Sequence, residues 1–196
     1  EGDISEPQQK QLLGLSRDMN EIDSLIDEIL MLQQAQHQQD KTSIKLNSMV
    51  DSLLKLHALQ FTPVNHQFNQ NDLNVEIFGA PLQIKRVLQN LIQNGFKHAN
   101  QQLHVSFFQD NDRVQLNIED DGEGILDEHK EHVFTPFIRL DNSRNKKTGG
   151  FGLGLAIVER ICKSHDIQVW VEDSALGGAR FCLMFPHAHV HTLRAA

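Results

Sequence analysis

Hydrophobic residues follow two different rhythms along this chain, and the change between them divides it. From about Ser5 to Gln34, Leu12, Leu15, Met19, Ile22, Ile26 and Ile29 recur at gaps of three and four. That is heptad spacing, the mark of a helix that turns one apolar seam toward a partner helix. Ser5-Glu6-Pro7-Gln8 opens it with a Ser cap, a Pro in the first turn and a Gln placed to complete a capping box. A lone helix cannot bury such a seam, so it packs on its own domain or on a partner; its place outside the compact region that follows favours a helical stalk over 1–38 that pairs in a dimer. The Gln-rich and polar residues that follow predict a linker over 39–45. A second helix is predicted from about Leu46 to Leu59, with Met49, Val50, Leu53, Leu54 and Leu56 on its apolar face.

Beyond that point the period drops to two. Leu73, Val75 and Ile77 alternate with polar residues, as do Leu103, Val105 and Phe107, then Val114, Leu116 and Ile118. Ile167, Val169 and Val171 repeat the pattern, followed by Phe181, Leu183 and Phe185. Each run predicts a strand apolar on one face and wetter on the other. Helical segments at about 81–98 and 153–164 lie between them. The expected architecture is a two-layer α/β sandwich, a mixed sheet with helices on one face, over 46–187. Residues 188–196 are expected to be a C-terminal tail.

Composition narrows the chemistry. Of 196 residues, 39% are hydrophobic and 22% charged, an ordinary globular balance. The net charge of -8 argues against general nucleic-acid binding, which needs clustered Lys and Arg. Any phosphate must therefore meet a local basic spot. Cys162 and Cys182 form no CxxC pair, so a reducing setting is the default. No apolar run is long enough to span a bilayer. The chain opens on Glu1 without a Met, the look of an excised fragment, and any membrane part is expected to precede it.

Four short segments then stand out. On the predicted helix over 81–98, Ile84, Val87, Leu88, Leu91, Ile92 and Gly95 form one stripe. Asn90, Asn94, Lys97 and His98 line another face, at gaps of four, three and one. An Asn carbonyl oxygen is a hard ligand suited to Mg²⁺, and Lys97 is placed to meet phosphates beside it. Asp120-Asp121-Gly122-Glu123-Gly124-Ile125 follows a strand directly; its glycines permit a sharp turn and close approach to a flat ligand, and Asp120 can accept from an exocyclic amine. Phe134-Thr135-Pro136-Phe137 leads to Arg139, Arg144, Lys146 and Lys147, the local basic spot, although the two lysines read more simply as a solvated charge run. Gly150-Phe151-Gly152-Leu153-Gly154-Leu155 runs into a helix, where loop amides and a helix N-terminus can cradle phosphate. No G-x-x-x-x-G-K-[ST] is present, which excludes a P-loop.

In this order, the segments resemble the catalytic domain of sensor histidine kinases in the GHKL superfamily, whose fold is the Bergerat α/β sandwich. Arg86 to His98 looks like its N box, Asp120-x-Gly122-x-Gly124 its first glycine box, and Phe134-x-Pro136-Phe137 its F box. Gly150-x-Gly152-x-Gly154-Leu155 looks like the second glycine box. Leu176-Gly177-Gly178-Ala179-Arg180-Phe181 is similar to the family's final hairpin, and the leading helix to the second helix of its dimerisation domain. Sensors that partner OmpR-like regulators are most similar in flavour. Gly95 stands where the family usually has Ala, and Thr135 where it has an acid.

The resemblance implies ATP as substrate and Mg²⁺ as cofactor. It places Asn94 on the metal, with Asn90 and Lys97 near the phosphates. His98 would line the nucleotide, and Asp120 would accept from the adenine amine beside Gly122, Gly124 and Ile125. Arg139 and Arg144 would reach the phosphates, while Gly150, Gly152, Leu153, Gly154 and Leu155 would wrap them. It further implies a response regulator as partner, a homodimer through stalk helices, and a cytoplasmic position in a protein anchored in the inner membrane. No His in this chain precedes an acid and an Arg-Pro or Thr-Pro. The phosphoacceptor is therefore expected on a helix before residue 1.

Two other readings compete. An ATPase or serine kinase of the same superfamily would take a general base from the asparagine-bearing helix, yet no Glu lies on it between Pro81 and His98. A non-catalytic module that senses nucleotide and docks a regulator would use the heptad helix as its surface. His187, His189 and His191 alternate at the end, a spacing that would suit Zn²⁺ if extended; a frayed polar tail is the simpler expectation.

Overall fold

The computed structural model describes residues 26, 30, 40–61, 64–71, 73–110, 113–140, 151–186 and 188–192. Of the leading segment, Ile26 and Leu30 have helical backbone and are 48% and 44% exposed. The remainder of the predicted heptad helix lies outside the described residues.

The elements run β1 (Thr42–Lys45), α1 (Leu46–Ala58), β2 (Asn65–Asn69), β3 (Leu73–Gly79), α2 (Pro81–His98), β4 (Gln102–Asp110), β5 (Arg113–Asp120), a single turn α3 (Asp127–Lys130), α4 (Gly154–Ser164), β6 (Gln168–Asp173), β7 (Ala179–Phe185) and β8 (Ala188–Thr192). Five strands form one sheet in the order β2-β4-β5-β7-β6, with β2 parallel to β4 and every other pair antiparallel. Three more form a second ladder, β1-β3-β8, antiparallel throughout. The expected mixed sheet is thus split into two ladders.

Period two explains β5. Val114, Leu116, Ile118 and Asp120 are buried, while Gln115, Asn117 and Glu119 between them are half-buried on the other face. Leu103, Val105 and Phe107 on β4 join the same inner layer. Against it lies α2, whose Ile84, Val87, Leu88, Leu91 and Ile92 are each no more than 2% exposed. α2 also packs on α1 and α4, so the apolar core sits between the helices and the inner faces of the strands. Gly95 is where α2 comes nearest the sheet: a Cβ there would stand 2.4 Å from Leu103 Cδ1. The outer face carries polar pairs instead, such as Arg180 with Glu119 at 2.9 Å across β7 and β5.

Three strands depart from expectation. Residues 42–45, read as linker, form β1, whose Ile44 pairs with Ile77. Residues 65–69 form an edge strand that no alternation announced. Residues 188–192, read as a tail, form β8 along β3. Each is short and has only one or two aliphatic or aromatic residues inside a polar run, so the period-two signal has little to count. Asn47 then finishes what β1 starts. Its side-chain amide donates to the Leu73 carbonyl at 2.8 Å and accepts from the Val75 N–H at 2.8 Å. A side chain at the start of α1 thereby continues the β1 ladder along β3.

Candidate functional site

α2 sets the axis of the site. Pro81 occupies its first turn and Gly95 lets it close on the sheet. Asn90, Asn94 and His98 follow at i, i+4 and i+8, along one face over about 12 Å of helix. The second glycine turn meets this face near its upstream end: a Cβ on Gly154 would lie 3.2 Å from Asn90 Oδ1. The first glycine turn meets it at the downstream end, where a Cβ on Gly122 would lie 2.2 Å from the His98 carbonyl oxygen. The asparagine stripe therefore lies between the two glycine turns. Asn90 and Asn94 are half-buried, and among the described residues the buried Asn90 Nδ2 has no hydrogen-bond partner. A buried amide left without a partner costs free energy unless a ligand or water takes it.

Asp120 closes the first turn. It is the last residue of β5 and only 3% exposed. Its Oδ1 accepts from the Gly122 N–H at 2.9 Å and from the Ala179 N–H at 3.2 Å. Burial raises its pKa above the usual carboxylate value, opposed by those two amides and by His98, with Asp121 adding slightly to the rise. Of its two oxygens, only Oδ1 is engaged by these amides. Asp121 does a different job. It accepts from the backbone N–H groups of Asn100, Gln101 and Gln102 at 2.8 to 3.1 Å, tying the end of α2 to β4 and to the turn. Burial works against its ionised form, but those amides prevail and hold its carboxyl below the usual range.

Gly177 and Gly178, ahead of β7, complete this corner. A Cβ on Gly178 would sit 2.1 Å from Asp120 Oδ1, so only glycine lets the β6–β7 turn hand the Ala179 amide to Asp120. The Gly177-Gly178 pair is the signal in the sequence for this corner, which the sequence motifs alone do not assign to the site. Gly124 has φ +73 and stands beside Gly178, and Ile125 packs against the core.

The second turn is held from outside. Phe137 N–H donates to the Gly152 carbonyl at 2.9 Å. Gly152 has φ +74, and a Cβ there would meet the Ile138 carbonyl oxygen at 2.7 Å. Phe134 is buried in the core against Phe181, ring centroids 6.4 Å apart, while Phe137 is 66% exposed. Leu153 is buried and Leu155 packs on the core, anchoring the start of α4. Arg139 is exposed one residue beyond Ile138. Lys97 and His98 lie in the last turn of α2. Arg144 and Gly150 lie outside the described residues.

Among the described residues no group of three or more His, Cys, Asp or Glu could hold a metal ion. The backbone of His189 and His191 belongs to β8 rather than to a frayed end, and His187 lies outside the described residues. An open groove of about 490 Å³ lies between β1, α1 and the first turn of α2, lined by Met49, Leu53, Leu56 and Lys85. It contains none of the predicted site residues.

A split α/β sandwich with an asparagine-bearing helix between two glycine turns defines a class of nucleotide-binding catalytic domain. The chain belongs to the family of histidine kinase-, DNA gyrase B- and HSP90-like ATPases, whose model matches residues 79–189. It is 30% identical over 181 residues to the sensor histidine kinase CpxA of Escherichia coli K12, across 90% of this chain and 40% of that protein. It is 34% identical over 180 residues to the sensor protein RstB of the same strain, across 90% of this chain and 41% of that protein. Full-length ShkA, solved in complex with AMPPNP, superposes with a TM-score of 0.84 at 19% identity, over 100% of this chain and 42% of that one, a likeness of fold. The chain thus spans about two fifths of the length of these relatives and carries the catalytic domain that sensor histidine kinases share. No helix among the described residues is long and apolar enough to cross a membrane.

Proposed function

We propose that this chain binds Mg·ATP along the asparagine face of α2 and transfers the γ-phosphoryl group to a histidine that it does not itself contain. The observation that carries this reading is the bracketing of Asn90 and Asn94 by the two glycine turns, with a buried carboxylate at one end. Asp120, through its second oxygen, accepts a hydrogen bond from the exocyclic amine of adenine, beside Gly122, Gly124, Ile125 and His98. Gly152 and Gly154 let the backbone and the N-terminus of α4 approach the phosphates. Lys97 and Arg139, with Gly150 and Arg144 of the intervening segment, neutralise the triphosphate charge.

The site's donors fit Mg²⁺. Asn94 offers a neutral hard oxygen on the same face as Asn90, whose buried Nδ2 has no partner among the described residues. When bound, the ion neutralises phosphate charge. In phosphoryl transfer the protein mainly positions and stabilises charge, and these residues suit that role better than acid–base work. Hydrolysis is the poorer reading because α2 carries no Glu to activate water.

In the whole protein, the acceptor histidine lies on a companion helix of a dimeric stalk, and the phosphoryl group passes on to an OmpR-like response regulator. The domain works on the cytoplasmic side of an inner-membrane sensor, with no role in nucleic-acid binding. That one relative is named a sensor histidine kinase and another a sensor protein supports this reading. It is tested by mixing the 196-residue chain with a separate histidine-bearing stalk and labelled Mg·ATP. Acid-labile phosphate on the stalk is expected. Steady ATP turnover without any labelled stalk would favour the hydrolase instead.

A further inference from the structure

Two contacts set how far α4 sits along α2. At one end Gly154 lies against Asn90. At the other, His165 follows the last residue of α4 and reaches Ala80, which precedes the first residue of α2. The helices are therefore antiparallel over this stretch, fastened about 15 Å apart along α2.

The far fastening is unusual in its chemistry. Ala80 has no side chain to cap α2, and its N–H donates to His165 Nε2 at 3.1 Å. His165 Nδ1 is 3.0 Å from the Ile161 carbonyl oxygen and 3.0 Å from Ser164 Oγ. A carbonyl can only accept, so Nδ1 carries the proton and Nε2 keeps its lone pair toward Ala80. Gly79 makes the approach possible, since a Cβ there would stand 3.1 Å from His165 Cδ2. The contact therefore demands one tautomer of a neutral ring.

We infer that His165 is a proton-sensitive positioning residue that holds α4 in register with α2 and so keeps Gly154 against Asn90. The inference deepens the proposed function and rests on it, because the contact it maintains belongs to the nucleotide site. Protonation makes Nε2 a donor facing another donor, the Ala80 N–H, and the bond is lost. Burial holds the ring's pKa below the ordinary histidine value; the Ile161 bond opposes this, Lys41 ahead of β1 adds to it, and Asp166 opposes it. The bond is thus intact at neutral pH and lost as pH falls through the lowered pKa.

The test is binding of Mg·AMPPNP to the full 196-residue chain across about pH 5.5 to 8, the range in which histidine titrates. His165→Gln keeps a neutral acceptor that cannot be protonated; His165→Leu keeps bulk without an acceptor. The wild type is expected to lose affinity toward low pH more steeply than His165→Gln. His165→Leu is expected to be roughly threefold to tenfold weaker at pH 8, the effect of one hydrogen bond. Superimposable profiles for wild type and His165→Gln would overturn the inference, as would a Leu variant of wild-type affinity. If His165→Leu does not fold, the comparison with His165→Gln decides alone. Amide exchange at Ala80 without nucleotide separates the two proposals. Its protection factor should fall toward low pH in the wild type and hold in His165→Gln. If that pattern appears while no variant binds AMPPNP, the nucleotide reading fails and the latch stands; a pH-independent protection factor in the wild type sinks the latch.

Discussion

Two buried titratable side chains show how stability and function pull apart at single positions. Asp120 is buried where its ionised form is disfavoured, so its folded pKa is raised. A carboxyl with a raised folded pKa binds its proton more tightly in the native state. Its ionisation therefore costs stability, and that cost appears as pH rises from the unfolded value through the folded one. Asp120→Asn keeps an acceptor for Gly122 and Ala179, so its Tm at pH 7 should equal or exceed that of the wild type. The difference should narrow as the pH drops below the unfolded value. A melting series over pH checks this; a Tm several degrees lower at pH 7 would mean that the carboxylate holds the turn together. His57 is the structural counterpart. It is 3% exposed beside Phe61 and Phe96. Burial lowers its pKa, and the Gln60 side chain opposes this without outweighing it. As pH falls below the unfolded value the unfolded chain gains a proton that the folded chain refuses, so stability is lost. His57→Phe should therefore raise Tm, and more at pH 6 than at pH 8. The sequence made Asp120 legible because an acid ending an alternating strand before Gly-x-Gly is a recognisable sign. His57 was not legible, since its isolation depends on aromatic neighbours about 40 residues away at Phe96.

At the level of elements, long periodic segments were readable and short polar ones were not. Six or more apolar positions fixed α2 to its ends, Pro81 and His98, because a core face of that length allows one period only. The strands β3, β4, β5 and β7 were readable for the same reason. β1, β2 and β8 lie at or near sheet edges and gain their order from neighbours rather than from their own apolar residues. This distinction predicts different costs for different changes. Leu91→Ala, at 0% exposure in the middle of α2, should destabilise by about 2–5 kcal/mol in denaturant unfolding. Asn47→Ala should cost on the order of 2–4 kcal/mol although it removes no apolar contact, because it strands the Leu73 carbonyl and the Val75 N–H. An effect under half a kcal/mol would mean that water replaces the side chain. The glycine turns respond to shape instead. Gly152→Ala is strained by φ +74 and collides with the Ile138 carbonyl, so it should lower nucleotide affinity even where the fold survives.

Across the described residues, the two sets of strands and the three longer helices α1, α2 and α4 serve one arrangement. The five-stranded sheet carries Asp120 and the first turn at a strand end, and Gly95 lets α2 close on it. α4 brings the second turn to Asn90 and is tied back at His165. Family membership over residues 79–189 covers this arrangement, while β1 and α1 lie before it in the chain. The site's polar members were legible as residue types at helical and turn spacing. What joins them was not, because the Ala179 amide, the Gly178 clearance and the Phe137–Gly152 bond are contacts between segments distant in sequence.

The central claim is a single Mg·ATP site shared by the asparagine face of α2 and the Asp120 turn. Calorimetric titration of the wild type, Asp120→Asn and Asn94→Ala with AMPPNP, with and without Mg²⁺, tests it most directly. The account predicts one-to-one binding in the wild type. Asp120→Asn should weaken it by about tenfold to a hundredfold, the value of a hydrogen bond to a charged group, with or without metal. Asn94→Ala should weaken it only when Mg²⁺ is present. Wild-type affinity in Asp120→Asn, or an Asn94→Ala defect that ignores Mg²⁺, would contradict it.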